Sequence, residues 1–149
     1  MRGKILNVIL ALSILTVGAV ATASAQLPGT GMSAQIPFAF IIGDQTLPAG
    51  MYEVRRLGDD PYLLRIQNVD DLRYVAIFNT GILDEGDSVR QSALVFHKYD
   101  DIYFLAELRS RYEGITRELH PSKEERRMQH EMASNNKAPQ SESVALIAN

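Results

Sequence analysis

The stretch that most constrains this fold runs from Leu94 to Leu108, Leu-Val-Phe-His-Lys-Tyr-Asp-Asp-Ile-Tyr-Phe-Leu-Ala-Glu-Leu. Two runs of aromatic and branched residues flank Asp100-Asp101, the pattern of an antiparallel hairpin. Aspartate tolerates turn geometry and bonds its own backbone, so the pair marks the reversal. Two registers compete. A two-residue loop of Asp100 and Asp101 sets Tyr99 opposite Ile102 and His97 opposite Phe104. A three-residue loop of Tyr99, Asp100 and Asp101 gathers Leu94, Phe96, Ile102, Phe104, Ala106 and Leu108 on one face. A slip of one residue exchanges the faces of a strand, so the buried face selects the register. The second pairing gives the cleaner apolar face and is the expected one. Its opposite face, with Val95, His97, Tyr103, Leu105 and Glu107, is only half polar, which predicts a sheet covered in part on both sides.

The chain opens with Arg2 and Lys4, an apolar run from Ile5 to Val20, and the small-residue site Ala23-Ser24-Ala25. These are the three parts of a secretory signal peptide in their proper order. Cleavage is expected after Ala25, with Ala21-Thr22-Ala23 as a second fit, and a retained anchor is the alternative for a run this long. No cysteine exists anywhere in the chain, so stability in an oxidising compartment must come from a packed core. Removing residues 1–25 leaves 124 residues, enough for one domain and few for two. The leader takes two basic residues with it, leaving 13 basic against 18 acidic and a net charge of −5. That balance argues against a nucleic-acid partner, which requires a basic face, and against an anionic membrane surface. No membrane span is expected after cleavage.

Residues 26–33 read as a flexible leader. Leu27-Pro28-Gly29-Thr30-Gly31 matches a cell-wall sorting signal, but it follows the leader instead of closing the chain, so a Gly/Pro linker is the expected reading. A β domain is expected over 34–120. Ala34, Ile36, Phe38, Phe40 and Ile42 alternate as one strand, with Pro37 marking it as an edge. Gly43–Gly50 reads as a loop, and Met51–Leu57 as the strand that pairs back. Tyr62–Gln67 and Arg73–Asn79 follow as strands, then a loop over Thr80–Arg90, then Gln91–Tyr99 into the central hairpin. Ile115–Leu119 is a further short strand. Such spacing predicts an all-β fold, an antiparallel β-sandwich or small barrel of about seven or eight strands.

One short helix is expected over residues 121–133, opening at Pro121-Ser122-Lys123-Glu124-Glu125. Ser122 and Glu125 form a capping box, the hydroxyl taking the Glu125 amide and the carboxylate reaching back to the Ser122 amide. Only Met128 and Met132 give this helix an apolar side, so weak packing is expected. Residues 134–149 read as a polar, mostly disordered tail, with 144–148 as a candidate last strand at a sheet edge.

Phe40-Ile41-Ile42-Gly43-Asp44-Gln45-Thr46-Leu47-Pro48-Ala49-Gly50-Met51-Tyr52, with Leu94–Tyr99 and Tyr103–Glu107, resembles a recurrent group of small exported bacterial proteins of unknown function. Such chains carry a leader, a Gly-Asp turn before Leu-Pro-Ala-Gly, and a later hairpin ahead of a charged segment like Ser122–Arg127. The resemblance covers about Ile36–Arg127 and implies a fold and an exported location, with no catalytic residue. Asp100 departs from it, since similar chains often have glycine there.

Catalytic patterns are sparse. His97 lies on a strand near Tyr103 and Glu107, and a carboxylate beside it would make a general base. Glu107 is about four residues from Tyr103, too far along a strand to orient the ring, so a half-exposed, hydrogen-bonded histidine is the expected reading. His120 and His130 have no zinc spacing. There is no nucleophile elbow, P-loop, dinucleotide fingerprint or H-E-x-x-H. No cofactor is expected. In a simple meander the Asp59-Asp60 turn and the loop Asp84, Glu85, Asp87 emerge at one end, a weak candidate calcium site set against aspartate's ordinary use in turns. Arg55, Arg56, Arg65 and Arg73 form either a basic stripe for an anionic partner or, as expected, cross-strand ion pairs with Glu53 and nearby aspartates.

The expected function is therefore an exported, non-enzymatic β domain with a binding or structural role in the cell envelope, periplasmic or extracellular, toward a protein or small-molecule partner. One alternative is a small carrier whose barrel cavity is lined by Phe38, Phe40, Tyr52, Phe96 and Phe104. A second is a hydrolase using carboxylates or His97.

Overall fold

A computed structural model describes residues 31–85, 89–134 and 142–148. The leader with its cleavage site, most of the Leu27–Gly31 motif, Asp87 and residues 135–141 of the tail lie outside these residues. In chain order the elements are β1 (Met32–Ile36), β2 (Phe40–Ile42), β3 (Gln45–Leu47), β4 (Gly50–Arg56), β5 (Leu63–Asn68) and β6 (Val75–Asn79). There follow β7 (Gly81–Glu85), β8 (Ala93–Tyr99), β9 (Ile102–Ser110), β10 (Ile115–Glu118), α1 (Lys123–Ser134) and β11 (Glu142–Ile147). The protein is thus all-β with two sheets and a single short helix among the described residues.

The first sheet runs β1-β4-β5-β6, antiparallel throughout. The second runs β11-β8-β9-β10-β7, and the β2–β3 hairpin joins it where Ile41 pairs in parallel with Phe104 of β9. One core lies between them. Ile36, Tyr52, Ile66 and Phe78 come from the first sheet, and Phe40, Leu94, Phe96 and Leu108 from the second. Full burial of each such side chain contributes about 1.5–3 kcal/mol.

The sheets are joined where the sequence forbids a straight strand. The alternation of Ala34–Ile42 holds as to its inward side, but the strand breaks at Pro37, and its two halves enter different sheets. Proline has no amide to continue the ladder. β1 is indeed an edge strand of its sheet. The chain crosses again at Thr80, between β6 and β7, where the buried threonine donates its amide and its hydroxyl to the Tyr62 carbonyl at 2.9 and 3.2 Å.

Among the described residues eleven strands replace the expected seven or eight, for three reasons. The first strand is split. The Gly43–Gly50 loop contains β3, paired with β2 across the two-residue turn Gly43-Asp44. The Thr80–Arg90 loop contains β7, paired with β10. At the N-terminal boundary, Met32 and Ser33 already belong to β1, where a flexible leader was expected. The candidate last strand exists as β11, two residues longer toward the N-terminus, paired antiparallel with β8.

The central hairpin corrects the expected register. Tyr99 pairs with Ile102 and His97 with Phe104, so the loop is the two residues Asp100-Asp101. Between Val95 and Phe96 the register shifts, from Glu107 to Leu105, leaving Ala106 as the extra residue of a bulge. The bulge places Leu105 and Leu108, three apart in sequence, in the same core. A strict period of two forbids that, which is why the three-residue loop looked cleaner. Asp100, where the resembling chains carry glycine, has a φ of +52°, and Gly43 at the equivalent place in the β2–β3 turn has +58°. Positive φ is what two-residue hairpin turns require of their first central residue.

The residues of the Gly-Asp to Leu-Pro-Ala-Gly-x-Tyr motif now have physical roles. Gly43 makes the turn, Leu47 is buried, and Tyr52 is buried with its hydroxyl donated to the Pro48 carbonyl at 2.7 Å. A β-carbon on Gly50 would collide with Asn68 Nδ2.

Candidate functional site

β8 carries Val95, His97 and Tyr99 on the face turned away from the inter-sheet core, and α1 is fastened to that face. Ser122 accepts the Glu125 amide at 3.0 Å, so one half of the capping box forms. The other half does not. Glu125 Oε1 instead accepts from His97 Nδ1 at 2.8 Å and from the Tyr99 hydroxyl at 3.3 Å. Gln129, one helical turn further on, donates to the Tyr99 hydroxyl at 2.8 Å. Glu125 is the buried residue of the helix, at 3% exposure, while Met128 and Met132 are only half-buried. The methionines pack weakly, as expected, and a polar contact attaches the helix instead.

The Glu125 hydrogen bond holds the His97 imidazole above its ordinary pKa, against the opposing effect of burial, with a further pull from the charge of Glu107. Burial raises the Tyr99 phenol, and the neighbouring Glu125 charge adds to it. The ring is thus a half-exposed, hydrogen-bonded histidine, as its strand position suggested, but its carboxylate comes from the helix and not from Glu107. Sequence reasoning assigned Glu125 wholly to the cap. The missed signal was a helix with almost no apolar side, which needs some other means of attachment.

His120 and His130 are both exposed. Among the described residues no group of three or more His, Asp or Glu side chains is placed to hold a metal ion. Of the calcium candidates, Asp59 and Asp60 are exposed, and Asp60 Oδ1 accepts the Tyr62 amide at 2.8 Å, the turn role expected of aspartate. Asp84 and Glu85 belong to β7. The arginines do pair with carboxylates, but not across neighbouring strands as expected: Arg55 takes Glu53 and Arg73 takes Asp71 at 2.7 Å, each two residues away, and Arg56 takes the distant Glu113 at 2.8 Å. Arg65 lies across from Arg55 on β5. Such exposed pairs each contribute at most about 1 kcal/mol.

The aromatics named for a carrier cavity pack on one another. Phe40 meets Tyr52 and Phe96 edge to face at 5.1 and 5.5 Å, and Phe38 meets Phe96 at 5.2 Å. Phe104 lies instead on the helix side, 5.8 Å from the Tyr99 ring.

Two other features were not foreseen. At one end of the sandwich, Arg117 of β10 is buried at 3% exposure. It donates to the Pro61 carbonyl at 2.6 Å and to Glu113 at 3.2 Å, while Glu113 also takes Arg56 of β4. This triad ties the two sheets together and lines a cavity of about 30 Å³. On the outer face of the second sheet, Leu83, Ala93, Glu107, Arg109, Ala145 and Ile147 line an open groove of about 540 Å³. No buried side-chain nitrogen or oxygen among the described residues lacks a hydrogen-bond partner. No family model, no curated protein and no solved structure matches this chain.

Proposed function

We propose that the protein is an exported, non-enzymatic β domain with a binding or structural role in the cell envelope. The observation that carries this reading is the commitment of His97, Tyr99, Glu125 and Gln129 to one another in fastening α1. The chain's best-placed general base is occupied in holding structure, and among the described residues no serine, threonine or second histidine meets it within hydrogen-bond reach. The groove on the outer face of the second sheet is the surface such a role would use, with half-exposed and exposed apolar walls around the Glu107–Arg109 pair. Export is supported by the leader residues Arg2, Lys4, Ile5–Val20 and Ala23-Ser24-Ala25. No helix among the described residues is long and apolar enough to cross a membrane.

The test is expression of the full chain in a bacterium, with fractionation, mass determination and a photo-crosslinking residue at Ile147. The reading expects a mature chain beginning at Gln26 in the periplasm or medium, and a discrete adduct that disappears when Leu83→Glu alters the groove. A leader retained in the cytoplasm, or a turnover that vanishes with His97→Gln, contradicts it.

A further inference from the structure

We propose that the cleft at the Tyr112 end of the sandwich binds a small organic carboxylate, an assignment that stands independently of the envelope role. Two guanidiniums, Arg56 and Arg117, converge on the single carboxylate of Glu113. They leave one positive charge uncompensated in a cleft whose remaining lining is neutral, with the hydroxyls of Ser92 and Ser110 set against apolar Leu64 and Leu108. The side chain of Arg117 is 4% exposed and that of Glu113 14%. Arg117 and Glu113, nearly out of water, are paired with one another, which leaves the half-exposed Arg56 at the mouth as the cation with donors to spare for an anion. Asp59 and Asp60 in the adjoining turn do not supply it, because both are exposed, neither lines the cleft, and Asp60 is bound to the Tyr62 amide.

Size and charge select the ligand. The cleft is partly open, and its accessible volume of about 30 Å³ suits a small flat headgroup. A monoanion balances the one excess charge, whereas dianionic phosphate overshoots it. Guanidinium nitrogens pair with carboxylate oxygens in a common plane, and the side chain of Arg56, 36% exposed, keeps donors beyond the one given to Glu113. Ser92 Oγ and Ser110 Oγ already accept the Arg111 and Glu113 amides, which leaves their hydroxyl protons to donate to an anion. The remainder of the ligand lies at the mouth beside Tyr112, which is 84% exposed.

The test is calorimetric titration of the exported protein with propionate, and separately with chloride and phosphate at matched ionic strength and pH. Arginine Nε–Hε signals are followed by NMR in parallel. Propionate is expected to give a saturable heat and to move the signals of Arg56 and Arg117 while those of Arg73 stay fixed. Arg56→Gln should weaken binding by about tenfold or more, and Arg73→Gln should leave it unchanged. An equal response to chloride or phosphate reduces the effect to charge screening and overturns the proposal. So does unaltered affinity in Arg56→Gln, or the absence of saturation. If Arg56→Gln fails to fold, the contrast between the Arg56, Arg117 and Arg73 signals in the unsubstituted protein decides the matter.

Discussion

Glu125 Oε1 lies 2.8 Å from His97 Nδ1, so a carboxylate at the third residue of a helix is buried against an imidazole in the middle of a strand. The two residues are 28 apart in sequence. Their contact, with Tyr99 and Gln129, is what fastens α1 to the second sheet, since Glu125 is the buried residue of the helix and its methionines are only half-buried.

That pairing makes stability depend on pH in a defined sense. The folded-state pKa of His97 is raised above the ordinary value, chiefly by Glu125. The contribution of the pair is therefore fully present below the unfolded pKa of about 6.5, and it is lost as pH rises through the folded value. Urea unfolding across this window should show a decline with pH that is smaller in His97→Gln. Parallel profiles for the two proteins would contradict the assignment.

Asp100 occupies the left-handed region at φ +52°. A side chain costs roughly 1–2 kcal/mol there, less for aspartate, and glycine removes the cost while adding unfolded-state entropy. Asp100→Gly is expected to stabilise the protein by up to about 1 kcal/mol. Thermal unfolding checks this, and a lowered midpoint would refute the turn geometry.

Gly50 faces the amide of Asn68, whose Oδ1 is fixed by the amides of Asp70 and Asp71 at 2.9 Å each. The buried amide cannot swing aside to admit a β-carbon. Gly50→Ala should therefore cost about 1–3 kcal/mol as overpacking, measured as a fall in the denaturant midpoint. Asn68→Ala in the same background should recover part of the clash term, giving a non-additive double-mutant cycle.

Much of the fold was legible because short alternating runs and aspartate- or glycine-rich turns mark strands directly. Ala34, Ile36, Phe40 and Ile42 all face the core as their alternation required. The failures have one physical origin, local departures from a period of two. The bulge at Ala106 hid the register of the hairpin, and Pro37 and Thr80 each turn a strand out of one sheet into the other. β3 and β7 are short and half polar, so nothing in Gln45-Thr46-Leu47 or Gly81–Glu85 outweighed their turn-like neighbours. Among the site residues, His97 was visible with its exposure and hydrogen bonding. Its partner was not, because Ser122 and Glu125 satisfy a local capping rule while the carboxylate is drawn to a long-range contact. The burial of Arg117 had no local signal, since Glu113 stands only four residues before it while the Pro61 carbonyl, and the Arg56 that shares Glu113, are brought there by the packed sheets.

The most direct test of the central claim, that His97 and Glu125 are a structural clasp, is hydrogen exchange of the α1 amides in the unsubstituted protein and in Glu125→Gln. Removing the charge while keeping the shape should weaken the clasp by about 1–2 kcal/mol. It should speed exchange across Lys123–Ser134 and leave the amides of β4 and β5 protected. Unchanged protection of the helix, or equal loss throughout both sheets, would contradict it.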